Sequence, residues 1–328
     1  MKPTMTFEEF ENSVRKRPGM YIGEVSALGL LNGLIIDCIE LCKTDHITFE
    51  IVISGENDFT LGLTSQHDLS LFIQQLTDKS TDSLHCFPKV LKVLSETFEI
   101  ITQGHSKIEI VFSLDKTIFS NTRIDYLNLS DKMLQITLLN RRCEIITIDK
   151  RQKYLNQNYY HFPQGIFYLF DRATTEVLGK PEFKITFDEK VGPYMLQLGL
   201  AYRTDWFPTP NIISFANDVH TVCGGSLVDG VMDGVLSACK RYFEENHLTN
   251  AKVNRKKLAN GLILICAVRG ETFQYGGSWK ETLDDNAVKK EVKQLVSSLV
   301  SDFLKTEKEK AANFLLRFDT TRLMSRIY

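Results

Sequence analysis

The stretch Val14–Gly23 reads Val-Arg-Lys-Arg-Pro-Gly-Met-Tyr-Ile-Gly and is the most informative segment of the chain. Its basic residues precede a Pro-Gly pair, which is typical of a helix end followed by a sharp change of direction. A short aromatic and aliphatic pair then ends at a second glycine. Neither core packing nor helix propensity demands this order of residues, so the string carries information beyond local structure.

Capping residues and the spacing of apolar residues predict the helices and strands around this stretch. Thr6 and Glu9 form a capping-box pattern that predicts a helix ending at Arg17. Helical or alternating spacing of apolar residues predicts the elements that follow: a helix over about 28–42, strands over 47–53 and 59–63, a helix over 87–94, and a hairpin of strands 98–101 and 108–112. The first half of the chain is therefore predicted to be α+β.

A second domain is predicted after the Gly192-Pro193 break, which gives domains of 1–190 and 191–328. The final helix, over about 286–318, has Asp284 or Asp285 as its cap and Val288, Val292, Leu295, Leu299 and Phe303 as its apolar stripe. The other predicted elements are strands over 194–203, 212–217 and 262–268 and a helix opened by Gly224-Gly225-Ser226. A chain of 328 residues is long enough for two such cores.

Composition excludes several classes of protein. The chain has 39 basic and 41 acidic residues, so net charge does not indicate DNA binding and any DNA contact needs a local patch. The seven cysteines include no CxxC pair, which argues against disulfides and zinc. The histidines also show no ligand spacing, and no metal site is expected. An acidic N-terminus and a longest apolar run of only Leu262–Val268 predict a soluble, cytoplasmic protein with no membrane partner.

The Val14–Gly23 string resembles the segment near the start of the B subunits of bacterial type II DNA topoisomerases, the gyrase B and topoisomerase IV B family. Phe215–Asp218 and Gly224–Ser226 stand where that family has its Phe-x-Asn-Asn and Gly-Gly-Thr elements. The resemblance spans nearly the whole chain. It implies an α+β protein with a gyrase B/Hsp90-type (GHKL) ATPase fold, an α/β sandwich, over 1–190, followed by a ribosomal S5 domain 2-like transducer domain over 191–328.

The resemblance also implies an ATP site, whose base and metal ligand are not found here. The family places a Glu general base and an Asn magnesium ligand four residues apart on the second helix. One register aligns Asp37 and Cys38 with the family's Asp-Asn step and leaves Leu34 at the base position; a one-turn alternative makes Asp37 the base and leaves Leu41 at the Asn position. Neither a thiol nor an alkyl group suits magnesium, which prefers oxygen ligands. Asp37 is kept as a weak nucleotide-binding candidate.

The glycines of the implied site are missing as well. The family's Asp-x-Gly-x-Gly turn under the adenine corresponds to 64–68, which reads Thr-Ser-Gln-His-Asp, and Asp68 there is read as a helix cap. The Gly-Leu-His-Gly-Val-Gly lid corresponds to 83–88, which reads Ser-Leu-His-Cys-Phe-Pro; His85 is read as a buried structural residue. Side chains narrow such a backbone cradle, and Pro88 removes an N–H group. No phosphate nest is expected.

The transducer part of the implied site is a Gln-Thr-Lys loop, and 273–280 here reads Phe-Gln-Tyr-Gly-Gly-Ser-Trp-Lys. Lys280 fits the lysine that contacts the terminal phosphate, and it is the second weak nucleotide-binding candidate. Trp279 is a costly residue to leave in a glycine-flanked loop and is interpreted as an interface anchor.

These observations favour a gyrase B-like protein that has lost ATP hydrolysis and acts by binding. No catalytic residue and no cofactor are expected, and the expected partners are a second copy of the chain or a gyrase or topoisomerase-type subunit. The rival hypothesis is a divergent, working ATPase that uses ATP and magnesium. A self-contained interaction module, such as an immunity factor, is a third possibility. The family's metal-binding domain and cleavage subunit have no counterpart in these 328 residues, so strand passage by this chain alone is not expected.

Overall fold

A computed structural model describes residues 6–41, 46–66, 69–77, 87–104, 106–154, 156–176, 181, 183–203, 209–247, 252–277 and 279–318. The chain divides into two compact units, Met1–Gly165 and Ile166–Tyr328. Each unit has its own hydrophobic core. In the described part of the chain no helix combines the length and the apolar character needed to cross a membrane.

The first unit packs helices on one face of a six-stranded sheet whose order is β3-β4-β2-β1-β5-β6. The pair β1 and β5 is parallel, and the other neighbouring pairs are antiparallel. Its helices are α1 Phe7–Lys16, α2 Gly19–Ile22, α3 Ala27–Leu41, α4 Ser70–Thr77, α5 Phe87–Val93 and α6 Tyr126–Leu139. Its strands are β1 Ile47–Ile53, β2 Asp58–Ser65, β3 Ser95–Gln103, β4 Lys107–Leu114, β5 Cys143–Asp149 and β6 Asn156–Tyr160.

The predicted elements of this unit are present. Thr6 and Glu9 form both hydrogen bonds of the capping box, and α1 ends one residue before Arg17. The Pro-Gly pair opens the short helix α2, whose Tyr21 hydroxyl is 2.8 Å from the Ser13 hydroxyl on α1. The second predicted helix is α3, and Cys42 at its predicted end lies outside the described residues. The strands β5 and β6 and the helix α6 had no sequence prediction.

The second unit contains a five-stranded sheet of order β10-β9-β11-β8-β7 in which only β9 and β11 run parallel. The central strand β11 is buried over 262–268, as its continuous apolar run predicts. Its helices are α7 Phe167–Thr175, α8 Ser226–Glu245, α9 Arg255–Ala259, α10 Asn286–Thr306 and α11 Lys308–Leu315. Its strands are β7 Phe183–Val191, β8 Tyr194–Tyr202, β9 Asn211–Ala216, β10 Val219–His220, β11 Leu262–Arg269, β12 Tyr275–Gly276 and β13 Thr282–Leu283.

The boundary between the units differs from the predicted one. Gly192 has a φ of 55° and, with Pro193, forms the tight turn between β7 and β8, where Val191 pairs with Tyr194. The Gly-Pro break is therefore a hairpin turn inside one sheet and not a linker between domains. The division falls instead between Gly165 and Ile166, and residues 166–190 belong to the second unit.

The predicted final helix is two helices, because α10 ends at Thr306 and α11 begins at Lys308, with Glu307 as the cap residue between them. Asp285 is the cap, accepting hydrogen bonds from the N–H groups of Ala287 and Val288. The predicted stripe is partly wrong, since Leu295, Leu299 and Phe303 are only partly buried. The buried positions are Val288, Val292, Val296, Val300 and Leu304.

The close packing of α8 on α10 explains this stripe. A Cβ at Gly230 would lie 3.1 Å from Val292 Cβ, and one at Gly234 would lie 2.8 Å from Val296 Cβ and 2.9 Å from the Lys293 carbonyl oxygen. The two glycines thus admit the valines of α10 directly onto the backbone of α8. The branched, compact valines fit this spacing, so they form the buried stripe.

We expect Gly234→Ala to lower the free energy of unfolding by about 1–2 kcal/mol, because overpacking at the helix contact outweighs the better helix propensity of alanine. Urea denaturation of the full chain measures the change. Lys240→Ala, at an exposed position of the same helix, is the control and should change stability by less than about 0.5 kcal/mol. A Gly234→Ala protein at least as stable as the unmodified chain would contradict the packing argument.

Candidate functional site

Asp37 caps helix α5 from the neighbouring helix α3. Its Oδ2 accepts a hydrogen bond from the N–H of Phe87, the first residue of α5, at 3.2 Å. A carboxylate stabilises a helix N-terminus because it satisfies a free N–H group and complements the helix dipole. The nucleotide-binding candidate Asp37 therefore makes a contact within the fold.

The other end of α5 is bound by the segment that the sequence singled out. Arg15 donates to the carbonyl oxygen of Val93, the last residue of α5, at 3.1 Å and to Asp115 Oδ2 at 2.6 Å. Hydrogen bonds from Thr117, and then the bond from Arg15, lower the pKa of Asp115 to about 2. The carboxylate is thus charged at neutral pH, and the guanidinium of Arg15 joins the helix end to the loop after β4.

In the first register, the positions that correspond to the implied base and metal ligand lie in the hydrophobic core. Leu34 is completely buried, and Cys38 is 1% exposed. In the alternative register Asp37 takes the base position, where its Oδ2 accepts the Phe87 N–H, and Leu41 takes the Asn position. In both registers the described helix α3 lacks the Glu and Asn pair that would position water and magnesium.

Phe87 fills the space beside α3. A Cβ at Gly33 would overlap the Phe87 ring, so this aromatic side chain packs directly on the helix backbone. Pro88 follows within the first turn of α5, where its missing N–H costs no intrahelical bond. The end of the segment that aligns with the glycine lid is therefore a packed helix start. The lid residues 83–86, including His85, and the turn residues His67 and Asp68 lie outside the described residues.

Lys280 lies in the hairpin of β12 and β13 in the second unit. Its backbone is left-handed, with a φ of 59°, and its Nζ lies 5.4 Å from the centre of the Tyr275 ring. Trp279 is 80% exposed, and its backbone N–H donates to Glu281 Oε2 at 3.3 Å. The hairpin thus presents an ammonium group and an indole at the surface of this unit.

This hairpin is joined to the start of α8. Gly225 has a φ of 101° and forms a bridge with Leu283, where a Cβ would overlap the Leu283 carbonyl oxygen. Ser226 Oγ accepts the N–H of Asp285, which in turn caps α10. Gly225 at this helix start is therefore required by close backbone contact within the unit.

The Phe215–Asp218 element forms the turn between β9 and β10. Asn217 has a φ of 49°, and its Oδ1 accepts the N–H of Gly270 at 3.0 Å. Asp218 Oδ1 pairs with Arg269 at 2.9 Å. Both side chains bind the end of β11, so this element closes one end of the second sheet.

Two histidines that sequence spacing left apart are brought together by the first sheet. His46, Glu144 and His161 place one ligand atom each within 4.8 Å of one another. The sequence missed this cluster because its members lie within or directly beside three separate strands and show no local spacing. Only the strand order and register could have indicated it.

The described cysteines are free thiols, as expected of reduced cysteines. Cys38, Cys143, Cys239 and Cys266 are buried and unpaired with sulfur, and Cys223 is exposed. Burial raises the pKa of the Cys239 thiol to about 12, and it also raises the pKa of the Cys143 and Cys266 thiols. These buried thiols are therefore protonated and unreactive at neutral pH.

Comparison with known proteins identifies the relatives of the chain. The model of the DNA gyrase B family matches residues 166–322, beginning at the first residue of the second unit. The B subunit of DNA gyrase from Streptococcus pneumoniae is 24% identical over 89% of this chain and 53% of its own length. The B subunit of DNA topoisomerase 4 from Mycoplasma capricolum has the same identity and the same coverage. This chain is gyrase B-like.

Solved structures give the fold of the whole gyrase B-like chain. The B subunit of DNA gyrase from Myxococcus xanthus matches with a TM-score of 0.67 and 20% identity over 94% of this chain and 99% of that chain. The 43K ATPase domain of Thermus thermophilus gyrase B, in complex with an aminocoumarin, matches with a TM-score of 0.72 and 16% identity over 96% of both chains. The predicted resemblance to the N-terminal half of gyrase B and its α+β fold are confirmed.

The gyrase B-like chain spans about half the length of the curated relatives that it matches, between 53% and 57% for the gyrase proteins of Streptococcus pneumoniae and Mycoplasma pneumoniae. The aligned part corresponds in fold to the ATPase domain of the Thermus structure. The candidates Asp37 and Lys280 remain predictions, since no comparison tests a role for either residue.

We expect Asp37→Ala to lower the free energy of unfolding by about 1 kcal/mol, because the first N–H of α5 loses its acceptor. Thermal or urea unfolding of the full chain measures this loss. Glu40→Ala removes an exposed acid from the same helix and should leave stability within about 0.5 kcal/mol of the original. Equal effects of the two substitutions would show that the cap contributes nothing.

Proposed function

We propose that this gyrase B-like chain does not hydrolyse ATP and acts as a binding or regulatory protein, through self-association or through contact with a topoisomerase or DNA-associated partner. The proposal rests on one observation: the Asp37 carboxylate accepts the first N–H of α5. In the family that this chain resembles, the corresponding segment is a glycine lid over the phosphates. Here a negatively charged side chain already stands at that helix start.

Electrostatics support the loss of phosphate binding at this position. A helix start attracts a phosphate because its N–H groups are free and its dipole end is positive. The Asp37 carboxylate already accepts the first N–H of α5 and complements the positive end of its dipole. A phosphate at this position would therefore be repelled by the carboxylate. Pro88 removes a further donor from the same turn. Displacement of Asp37 by a nucleotide would therefore cost the cap as well as the repulsion.

The hydrophobic core of the first unit supports the proposed loss of ATP hydrolysis. A general base must reach the attacking water, and a magnesium ligand must offer oxygen. Leu34 and Cys38 offer neither group, and both lie inside the packed core of the first unit. A scaffold that keeps its fold while its reactive positions are apolar supports a role in binding rather than in catalysis.

One feature favours the rival function, a divergent working ATPase. By its resemblance to the family, Lys280 fits the lysine that contacts the terminal phosphate, and it is exposed, with its ammonium group near the Tyr275 ring. Direct measurement of turnover separates the two functions.

We expect the purified chain to release phosphate from ATP with magnesium no faster than a protein-free blank, because loss of a positioned base alone costs about 10²–10⁴-fold in rate. A coupled phosphate-release assay measures this, with calorimetry against a non-hydrolysable ATP analogue as a separate measure of binding. Asp37→Asn, with folding checked by circular dichroism, is the matched variant. Magnesium-dependent turnover that disappears in Asp37→Asn would establish the rival function.

We expect the molar mass in solution to be the same with and without ATP, since a ligand without differential affinity for two states shifts no equilibrium. Multi-angle light scattering measures the mass. Trp279→Ser should weaken any self-association by at least about tenfold, because exposed tryptophans are frequent interface anchors. Tyr154→Ser, at another strongly exposed aromatic residue, is the control. A monomer that dimerises only with ATP would contradict the proposal.

A further inference from the structure

Three potential metal ligands lie within or directly beside three neighbouring strands of the first sheet, β1, β5 and β6. His46 directly precedes β1, Glu144 is the second residue of β5, and His161 directly follows β6. The register pairs Thr48 with Glu144 and Ile145 with Tyr160, so continued pairing places His161 beside Glu144. Because side chains alternate along a strand, these residues lie on the face opposite the buried core residues.

The distances between the ligand atoms suit a single small cation. Glu144 Oε1 lies 3.5 Å from His46 Nε2 and 3.6 Å from His161 Nδ1. The two imidazole rings are 5.4 Å apart and inclined at 73°. In a tetrahedral zinc site with bonds of about 2.0–2.1 Å, the donor atoms lie about 3.3–3.4 Å from one another. Small side-chain rotations therefore bring the three donors to coordination distance.

The surroundings hold the carboxylate and leave the site accessible. Thr48 Oγ1 donates to the other oxygen, Glu144 Oε2, at 3.4 Å, which directs Oε1 toward the histidines. The side chains of His46, Glu144 and His161 are 39%, 22% and 25% exposed. An ion can enter from solvent and retain water as a fourth ligand.

We propose that His46, Glu144 and His161 bind one Zn²⁺ ion. Two imidazoles and a carboxylate are a zinc donor set with one open position, whereas Mg²⁺ and Ca²⁺ favour sites built from oxygen alone. The bound ion would join the ends of β1, β5 and β6. This site lies on the outer face of the sheet, away from α3 and Asp37, so it is independent of the proposed loss of ATP hydrolysis.

Metal binding is tested on the full chain after removal of metal with EDTA. Calorimetric titration with ZnCl₂ should give one ion per chain, and His46→Gln, Glu144→Gln and His161→Gln should each weaken binding at least tenfold. His247→Asn removes an exposed histidine outside the cluster and should leave the affinity unchanged. Circular dichroism in EDTA verifies that each variant is folded.

Two spectroscopic measurements distinguish this site from incidental metal binding. Substitution with Co²⁺ should give visible d–d bands without a thiolate charge-transfer band, because the exposed Cys223 is not a ligand. Nitrogen NMR of the histidine rings should show the metal on Nε2 of His46 and Nδ1 of His161. Absence of zinc binding by the original chain, a thiolate band, or unchanged affinity in the three cluster variants would overturn the proposal.

Discussion

Charged side chains from two other helices hold both ends of the seven-residue helix α5, and the packing of the first unit depends on this arrangement. A helix of this length is unstable by itself in water. Asp37 binds its N-terminus and Arg15 its C-terminus, each with the charge that complements the helix dipole. With its conformation fixed, α5 contacts α1, α2, α3 and α4 and the strand β3. The basic run before Pro18-Gly19 thus has a structural use that its sequence alone does not reveal.

Glycine serves close packing in both units. In the first unit, Gly33 lets the Phe87 ring lie on the backbone of α3, and in the second, Gly230 and Gly234 let α10 lie on α8. A side chain at any of these positions would push apart two elements that carry core residues. The glycines that would open a phosphate cradle are absent from 83–88, whereas glycines that permit packing are present. This distribution of glycines supports the proposal that the chain retains its fold without hydrolysing ATP.

The two faces of the first sheet carry different chemistry. The buried face packs against α3, which contributes Leu34 and Cys38 to the core. The outer face carries His46, Glu144 and His161, whose donor atoms converge. The proposed loss of ATP hydrolysis and the proposed zinc site are compatible, because alternate side chains of a strand lie on opposite faces of the sheet.

The sequence alone determined the elements whose signals are local. The capping box of α1, the helix α3, the strand β1 and the buried strand β11 need only near neighbours in the chain to be recognised. The gyrase B-like fold followed from Val14–Gly23 and the two elements near 215–226, and the mismatches at Leu34, Cys38 and 83–88 were readable by alignment with that family. The predicted first and last residues of these elements lie close to the observed ones, because capping and alternation depend on only a few neighbouring residues.

Tertiary structure decided the features that depend on residues far apart in the chain. By sequence alone, the Gly192-Pro193 break predicts a domain boundary, and only the pairing of β7 with β8 shows that it is a hairpin turn. The buried stripe of α10 includes Val296 instead of Leu295 because Gly234 of α8 lies directly against Val296. The partnership of Asp37 with Phe87, and that of His46 with Glu144 and His161, arise from helix packing and strand register. Such contacts produce no periodic pattern in the sequence. Periodicity indicates which face of an element is buried, but it does not indicate which residues of other elements contact that face.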